Sequence, residues 1–252
     1  MSHVSNKAAA LLVACATFAS AQVTATVGPP TAPVGCPIWI SVSNDTPSGI
    51  FLSSPCPYVV KDAFGVAIYT PFCIAIIQPI AAGGTFTTTW PQINDFGIPV
   101  GAGNYVVQVN HPGGPTNVPI TISTAATGGV AQLGTAKIGV TRNLGLCSPG
   151  DGGFTYVAAA AFTTTPGIVT CAGTIPLAAD ALLTLSLTPG NGVFNNFLGT
   201  LDATGRSTAP SITVPNLPAL VGLSFWTAFV VYDPNAPCQI RSISEATEVF
   251  IF

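Results

Sequence analysis

Short runs of β-branched and aromatic residues recur along this chain between turns rich in glycine, proline and asparagine. The 252 residues include 26 glycines and 23 prolines. Proline disrupts helix interiors but is tolerated at strand ends and edges. In residues 38–43, isoleucine and valine alternate with other residues, which is the two-residue period of a strand. The pattern predicts an all-β fold.

The strand signals fall into two parts. Residues 22–124 predict an immunoglobulin-like β-sandwich. Residues 123–132 lack periodicity and large apolar anchors, which predicts a short Gly/Ala/Thr linker at residues 125–133. Residues 134–252 carry further strand signals, including an alternating run at 182–187 and a run at 221–232 that is apolar on both faces. We therefore expect two β-sandwich domains joined by a linker.

The firmest local prediction is a hairpin that joins residues 58–60 to residues 66–69. The sequence Asp-Ala-Phe-Gly at 62–65 suits its turn, because Gly65 can adopt a positive φ. Pairing Val60 with Tyr69 then places Cys56 opposite Cys73.

Residues 1–21 have the pattern of a signal peptide. Lys7 precedes an apolar run at 8–18, and small residues precede Gln22. In the competing interpretation, Cys15 belongs to a lipobox and anchors the protein to a membrane. The later apolar run at 221–232 is shorter than the roughly 20 residues of a spanning helix. Both interpretations place the protein outside the cytoplasm without a transmembrane span.

Charge excludes one class of partner. Of six basic residues, Lys7 lies in the predicted signal peptide, so five basic residues stand against nine acidic ones. Nucleic-acid binding requires clustered Lys and Arg along the phosphates. Five scattered cations cannot form such a surface, and we expect no nucleic-acid partner.

Six cysteines follow the predicted signal peptide, an even number that predicts disulfides in an exported chain. None of them has the close C-x-x-C spacing of a zinc site. The hairpin predicts the first bond, a turn near residues 166–167 suggests the second, and parity leaves the third to join the two domains. The expected bonds are Cys56–Cys73, Cys147–Cys171 and Cys36–Cys238.

Catalytic and metal-binding patterns are missing from the sequence. His111, the only histidine after residue 21, lies in a turn sequence, and no G-x-S-x-G motif is present. Glu245 and Glu248 have the odd spacing that puts them on opposite faces of a strand. Asp151 lies in a glycine-rich segment that could offer oxygens to calcium, but a tight turn is the favoured interpretation. We predict no catalytic residue, no metal and no cofactor.

Trp39 is the one candidate for contact with a ligand. It is out of phase with its apolar neighbours Ile38 and Ile40, so its ring could stack on a sugar. The alternative is that it packs on the second face of a central strand.

Two parts of the chain resemble known families. Residues Trp90, Gln92, Gly97, Val100, Gly103 and Tyr105 resemble the signature of immunoglobulin-like domains related to the bacillar intracellular proteinase inhibitor. Segments 199–206, 220–223 and 241–244 resemble the C-terminal regions of uncharacterised secreted proteins from planctomycete-like bacteria. The first resemblance implies a fold and suggests proteinase inhibition; the second implies no known chemistry.

The sequence thus predicts a non-enzymatic secreted or cell-surface module that binds a protein or glycan partner. A secreted proteinase inhibitor and a carbohydrate-binding module are the alternatives.

Overall fold

A computed structural model describes residues 22–252, and it is nearly all β. The predicted signal peptide, with Cys15, lies outside the described residues. We call residues 22–124 the N-terminal half and residues 125–252 the C-terminal half. Over 22–252, the structure has no helix of the length and apolarity needed to cross a membrane.

The N-terminal half contains ten strands in three sheets. The sheets have the strand orders β1-β3-β8, β2-β10-β9-β5-β6 and β4-β7. The strands are β1 (Val23–Gly28), β2 (Thr31–Pro33), β3 (Ile38–Asn44), β4 (Ile50–Leu52), β5 (Tyr58–Asp62), β6 (Ala67–Tyr69), β7 (Gln78–Ile80), β8 (Thr85–Trp90), β9 (Gly103–Val109) and β10 (Thr116–Ser123).

Trp90 and Tyr105 pack together in the core of this half. Trp90 is fully buried, and its indole N–H donates to the carbonyl of Ile93 at 2.8 Å. The Tyr105 ring meets Trp90 edge-on, with 5.7 Å between ring centroids, and its hydroxyl donates to the Gly101 carbonyl. An aromatic pair of this geometry adds stabilisation beyond simple burial.

The predicted hairpin is confirmed, with its register. Strands β5 and β6 are antiparallel, and Val60 pairs with Tyr69. Gly65 has a φ of 82°. The Asp62 carboxylate accepts hydrogen bonds from the backbone N–H groups of Phe64 and Val66, both at 2.9 Å. The turn is therefore fixed by its own side chain.

The C-terminal half contains twelve strands and one short helix. The sheets have the orders β11-β12-β19-β16, with β18 on β12; β17-β13-β20-β21, with β22 on β20; and β14-β15. The strands are β11 (Gly129–Gln132), β12 (Thr141–Cys147), β13 (Thr155–Ala161), β14 (Ile168–Thr170), β15 (Gly173–Ile175), β16 (Phe194–Asn195), β17 (Leu198–Thr200), β18 (Arg206–Ser207), β19 (Ser211–Thr213), β20 (Ser224–Tyr232), β21 (Ile240–Ile243) and β22 (Thr247–Phe250); the helix is α1 (Ala181–Leu187), and Pro218–Leu220 and Pro237–Gln239 form 3-10 turns.

The apolar run predicted as a central strand is β20, which lies between β13 on one side and β21 and β22 on the other. It begins at Ser224 rather than at residue 221, because Val221 lies in a turn whose N–H donates to the Pro218 carbonyl. The alternating run at 182–187, predicted as a strand, is instead helix α1. Asp180 caps this helix, since its side chain accepts a hydrogen bond from the Leu183 N–H at 2.9 Å.

The predicted linker at 125–133 is not an open connection. It contains β11, which pairs with β12, and Val130 and Ala131 are buried. A Cβ at Gly129 would lie 2.7 Å from the Pro29 ring of the other half. The small residues of this segment allow close packing between the halves, rather than flexibility.

Several contacts cross between the halves. Lys137 forms an ion pair with Asp45 at 3.1 Å. The Thr135 N–H donates to the Ser43 hydroxyl, which is buried, at 3.0 Å. Each half also has its own large cluster of buried apolar side chains, one within residues 32–122 and one within residues 130–251. The chain therefore has two cores and a packed contact between them.

Candidate binding sites

All six predicted disulfide cysteines are paired. The hairpin bond, Cys56–Cys73, forms as expected, with 6.0 Å between its Cα atoms. The other two expected pairings, Cys147–Cys171 and Cys36–Cys238, are wrong. The remaining bonds are Cys36–Cys147, at 5.8 Å between Cα atoms, and Cys171–Cys238, at 5.9 Å.

The difference follows from where the strands end. Cys147 closes β12 opposite Gly129 of β11, which packs on the N-terminal half, so its thiol meets Cys36. Cys171 lies in the turn between β14 and β15, where it reaches Cys238. Because each half contains three cysteines, one bond between the halves was expected. That bond is Cys36–Cys147.

Trp39, the candidate for contact with a ligand, is almost completely buried. It is only 5% exposed and belongs to a small cluster with Cys36, Ala131 and Cys147. Its ring packs so closely on Gly145 that a Cβ there would lie 2.8 Å from it. The second half covers this face of β3. Little of the indole is accessible, and the accessible part lines a small cavity together with Arg206 and Thr208.

The isolated polar residues also have structural contacts. The His111 ring bonds the Thr116 hydroxyl at 2.9 Å, and burial lowers its pKa. Glu245 and Glu248 are exposed. Over residues 22–252, the structure contains no group of three or more His, Cys, Asp or Glu side chains that could hold a metal.

Asp151, considered above as a calcium ligand, is instead a buried carboxylate at the centre of a hydrogen-bond network. One carboxylate oxygen accepts from the Arg241 guanidinium at 2.6 Å, and the other accepts from the hydroxyls of Ser148 and Ser242 at 2.5 and 2.6 Å. Arg241 also pairs with Asp233 at 3.3 Å and lies over the Phe154 ring. The hydrogen bond that Arg241 donates to Asp151 is the main cause that raises the pKa of Arg241.

Beside this network, an open groove with a volume of about 530 Å³ lies between the two halves. The Arg241 side chain remains 41% exposed there, and its charge is opposed by two carboxylates. The lining therefore offers neutral hydroxyls and one balanced cation. We call this cavity the inter-half groove. Its lining residues are Pro33, Val34, Ser123 and Thr124 from the N-terminal half and Ala126, Thr127, Pro149, Asp151, Arg241 and Ser242 from the C-terminal half.

Sequence reasoning did not identify this groove, because its residues come from four distant segments. A partial signal was available in the Arg-Ser sequence at 241–242, which stood out in the family resemblance but carried no chemistry by itself.

Comparison with known proteins gives no functional assignment. No family model matches the chain, and no curated protein matches it. Among solved structures, a red sea bream transglutaminase is similar with a TM-score of 0.27 and 9% identity over 92% of this chain and 31% of that one. An Escherichia coli alpha-2-macroglobulin activated by porcine elastase has a TM-score of 0.26 and 10% identity, covering 91% of this chain and 22% of that one. The chain thus spans less than a third of either protein.

Proposed function

We propose that this protein is a non-enzymatic secreted or cell-surface interaction module that binds a protein or glycan partner in the inter-half groove. The observation that carries the proposal is the groove itself, which is lined from both halves. In this proposal each half is a β-sandwich, the first of them immunoglobulin-like, and their orientation is held by the Cys36–Cys147 bond.

The location of the protein is supported by its disulfides. Three of them indicate an extracellular or otherwise oxidising environment. The signal-peptide pattern predicted for residues 1–21 also favours export.

The groove lining suggests the chemistry of the partner. Hydroxyls of Ser123, Thr124 and Ser242 suit neutral donors and acceptors, such as a polypeptide backbone or sugar hydroxyls. The two carboxylates beside Arg241 oppose binding of an acidic polymer. Trp39 is buried and does not line the inter-half groove, so a glycan in the groove would be held by hydrogen bonds and not by stacking on this indole.

A glycan array and a displayed peptide library, each probed with the purified protein, test the proposal. We expect a ligand whose binding is weakened at least about tenfold by Thr124→Trp, since the added ring would fill the groove; tenfold corresponds to about 1.4 kcal/mol. Thr70→Trp is the control, at another exposed threonine outside the groove lining. Failure of both libraries, or a ligand that Thr124→Trp leaves unaffected, would contradict the proposal.

A further inference from the structure

A second cavity lies where the two halves meet, and it shares no lining residue with the inter-half groove. Its volume is about 190 Å³. The turn at residues 34–36 separates the two spaces, since Val34 lines the groove and Pro37 lines this cavity. We call it the seam cavity. Its polar and aromatic lining consists of Trp39 and Thr89 from the N-terminal half and Asp202, Arg206, Ser207 and Thr208 from the C-terminal half.

Arg206 has hydrogen-bond donors that the fold leaves unused. Its Nη2 donates to the Gly35 carbonyl at 3.3 Å, the only hydrogen bond of this guanidinium within residues 22–252. Its Nε–H is the one buried side-chain polar group of those residues that has no partner. A charged donor left without an acceptor is costly, so an acceptor placed beside Arg206 would be strongly bound. Every other basic side chain of residues 22–252 has a partner at 3.1 Å or less: Lys61 with Gln108, Lys137 with Asp45, Arg142 with the Thr135 carbonyl and Arg241 with Asp151.

Asp202 offers a free acceptor in the same cavity. Its Oδ1 accepts from the hydroxyl and the N–H of Thr204, both at 2.7 Å, and from the Arg206 N–H at 3.0 Å. Its Oδ2 has no hydrogen bond within residues 22–252, and no side-chain nitrogen of Arg206 lies within 4.0 Å of this carboxylate. Two opposite charges thus line one cavity without pairing, which leaves both available to a third group.

Neutral groups complete the lining. Thr89 and Thr208 are exposed, and their hydroxyls have no hydrogen bond within the described chain. The Ser207 hydroxyl, in contrast, already accepts from the Ala209 N–H at 3.3 Å. The accessible edge of Trp39 adds a small apolar contact. The cavity therefore combines one cation, one anion, two free hydroxyls and an aromatic edge.

We propose that the seam cavity binds one ring of a neutral sugar. A sugar hydroxyl can both donate and accept, so neighbouring hydroxyls of one ring can donate to Asp202 and accept from Arg206. The hydroxyls of Thr89 and Thr208 can take either role, and the C–H groups of the ring can contact the Trp39 edge. The proposal concerns a cavity separate from the inter-half groove, so it does not depend on the function proposed above.

Size and charge support a neutral sugar over other small ligands. The volume of about 190 Å³ far exceeds the roughly 10–15 Å³ that one buried water needs, so more than a bridging water fits. The charges of Asp202 and Arg206 cancel, which disfavours an acidic or a basic ligand. A zwitterionic amino acid would match both charges, but it would leave the two threonine hydroxyls without a role.

An NMR titration of the nitrogen-15-labelled, disulfide-bonded protein tests the proposal. The probes are the methyl glycosides of glucose, galactose, mannose and N-acetylglucosamine, each added separately, with glycine as the zwitterionic probe. We expect at least one glycoside to shift the indole N–H signal of Trp39 and the backbone N–H signals of Thr89 and Thr208 in a saturable way. The backbone signals of Thr124 and Ser242, which line the inter-half groove, should not move.

Two conservative substitutions identify the residues that bind the glycoside. Asp202→Asn keeps the oxygen that holds the turn but removes the charge, and Arg206→Lys keeps the charge but removes the planar fork of donors. Each should weaken glycoside binding at least about tenfold, because a hydrogen bond to a charged group is lost.

The chain offers a matched control for each substitution. Asp62 holds a turn as Asp202 does, by accepting from the N–H groups two and four residues later. Arg142, like Arg206, donates to a carbonyl of the N-terminal half, that of Gly83. We expect Asp62→Asn and Arg142→Lys to bind the glycoside within about twofold of the parent protein.

The titration of the parent protein decides the proposal even where a variant does not fold. Absence of saturable shifts with all four glycosides, shifts confined to the groove, or equal weakening by the substitutions and their controls would overturn it. Saturable shifts at Trp39 and Thr208 with glycine alone would assign the cavity to an amino acid and would also overturn it. Thr124→Trp, which blocks the inter-half groove, should leave glycoside binding unchanged, so failure of this proposal and failure of the proposed function are distinguishable.

Discussion

At the scale of single residues, the amino-acid pattern predicted the position of a residue on its strand better than it predicted which side chains that residue contacts. The alternation around Trp39 correctly placed it on the face opposite Ile38 and Ile40. What the alternation could not show is that the C-terminal half covers that face, because the residue it packs on, Gly145, is 106 positions away. The hydroxyl and carboxylate network at Asp151 was missed for the same reason.

The contact between Trp39 and Gly145 leads to a prediction about stability. Gly145→Ala would introduce a Cβ at 2.8 Å from the indole, at a position without the positive φ that would itself disfavour alanine. We expect a loss of about 1–3 kcal/mol in the free energy of unfolding, measured by urea denaturation. Gly101→Ala is the control, because its Cβ would meet no atom within 4 Å. Equal stability of the two variants would show that Trp39 is not packed as described.

The turn at Asp202 leads to a prediction about pH. The Thr204 hydroxyl, followed by backbone N–H groups of Arg206 and Thr204, stabilises the carboxylate and lowers the pKa of Asp202. A lowered pKa in the folded state stabilises the fold above the unfolded pKa of about 3.9, and this contribution is lost as pH falls through the folded pKa. We expect Thr204→Val to raise the Asp202 pKa towards its ordinary value in a carbon-13 NMR titration. An unchanged midpoint would rule out the hydroxyl as the main cause.

At the scale of elements, local chemistry decided which predictions succeeded. The β5–β6 hairpin could be predicted because its turn is fixed by Asp62 and Gly65 within four residues. The strand predicted at 182–187 was wrong: the segment is helix α1, in which Leu185 and Leu187 are exposed and Ser186 is buried. The sequence signal that distinguishes the two is Asp180, an N-cap residue three positions before Leu183.

This cap can be tested directly. The Asp180 carboxylate accepts from the N–H of Leu183 at 2.9 Å and from the N–H of Phe162 at 2.7 Å, so it joins α1 to the end of β13. Asp180→Ala should lower the free energy of unfolding by about 1 kcal/mol, while Asp180→Asn should retain most of that stability. Thermal or urea denaturation of the pair provides the measurement. Equal losses in both variants would argue against a capping role.

At the scale of the whole molecule, the sequence predicted an all-β chain with disulfides but not the relation between its parts. Small residues at 125–133 indicated a linker, whereas Gly129 and Ala131 lie in close contact with the N-terminal half. Local geometry correctly predicted the Cys56–Cys73 bond, whose two cysteines are 17 residues apart. It could not choose partners for the other four cysteines, because that choice depends on how two cores pack on each other.

The central claim is that the two halves form one body with a fixed groove, held by the Cys36–Cys147 bond. Peptide mapping of the unreduced protein by mass spectrometry tests this claim most directly. The structure predicts a cross-linked peptide that contains Cys36 and Cys147 and separates on reduction, with Cys171 linked to Cys238. Recovery of Cys36 linked to Cys238, with Cys147 linked to Cys171, would contradict it.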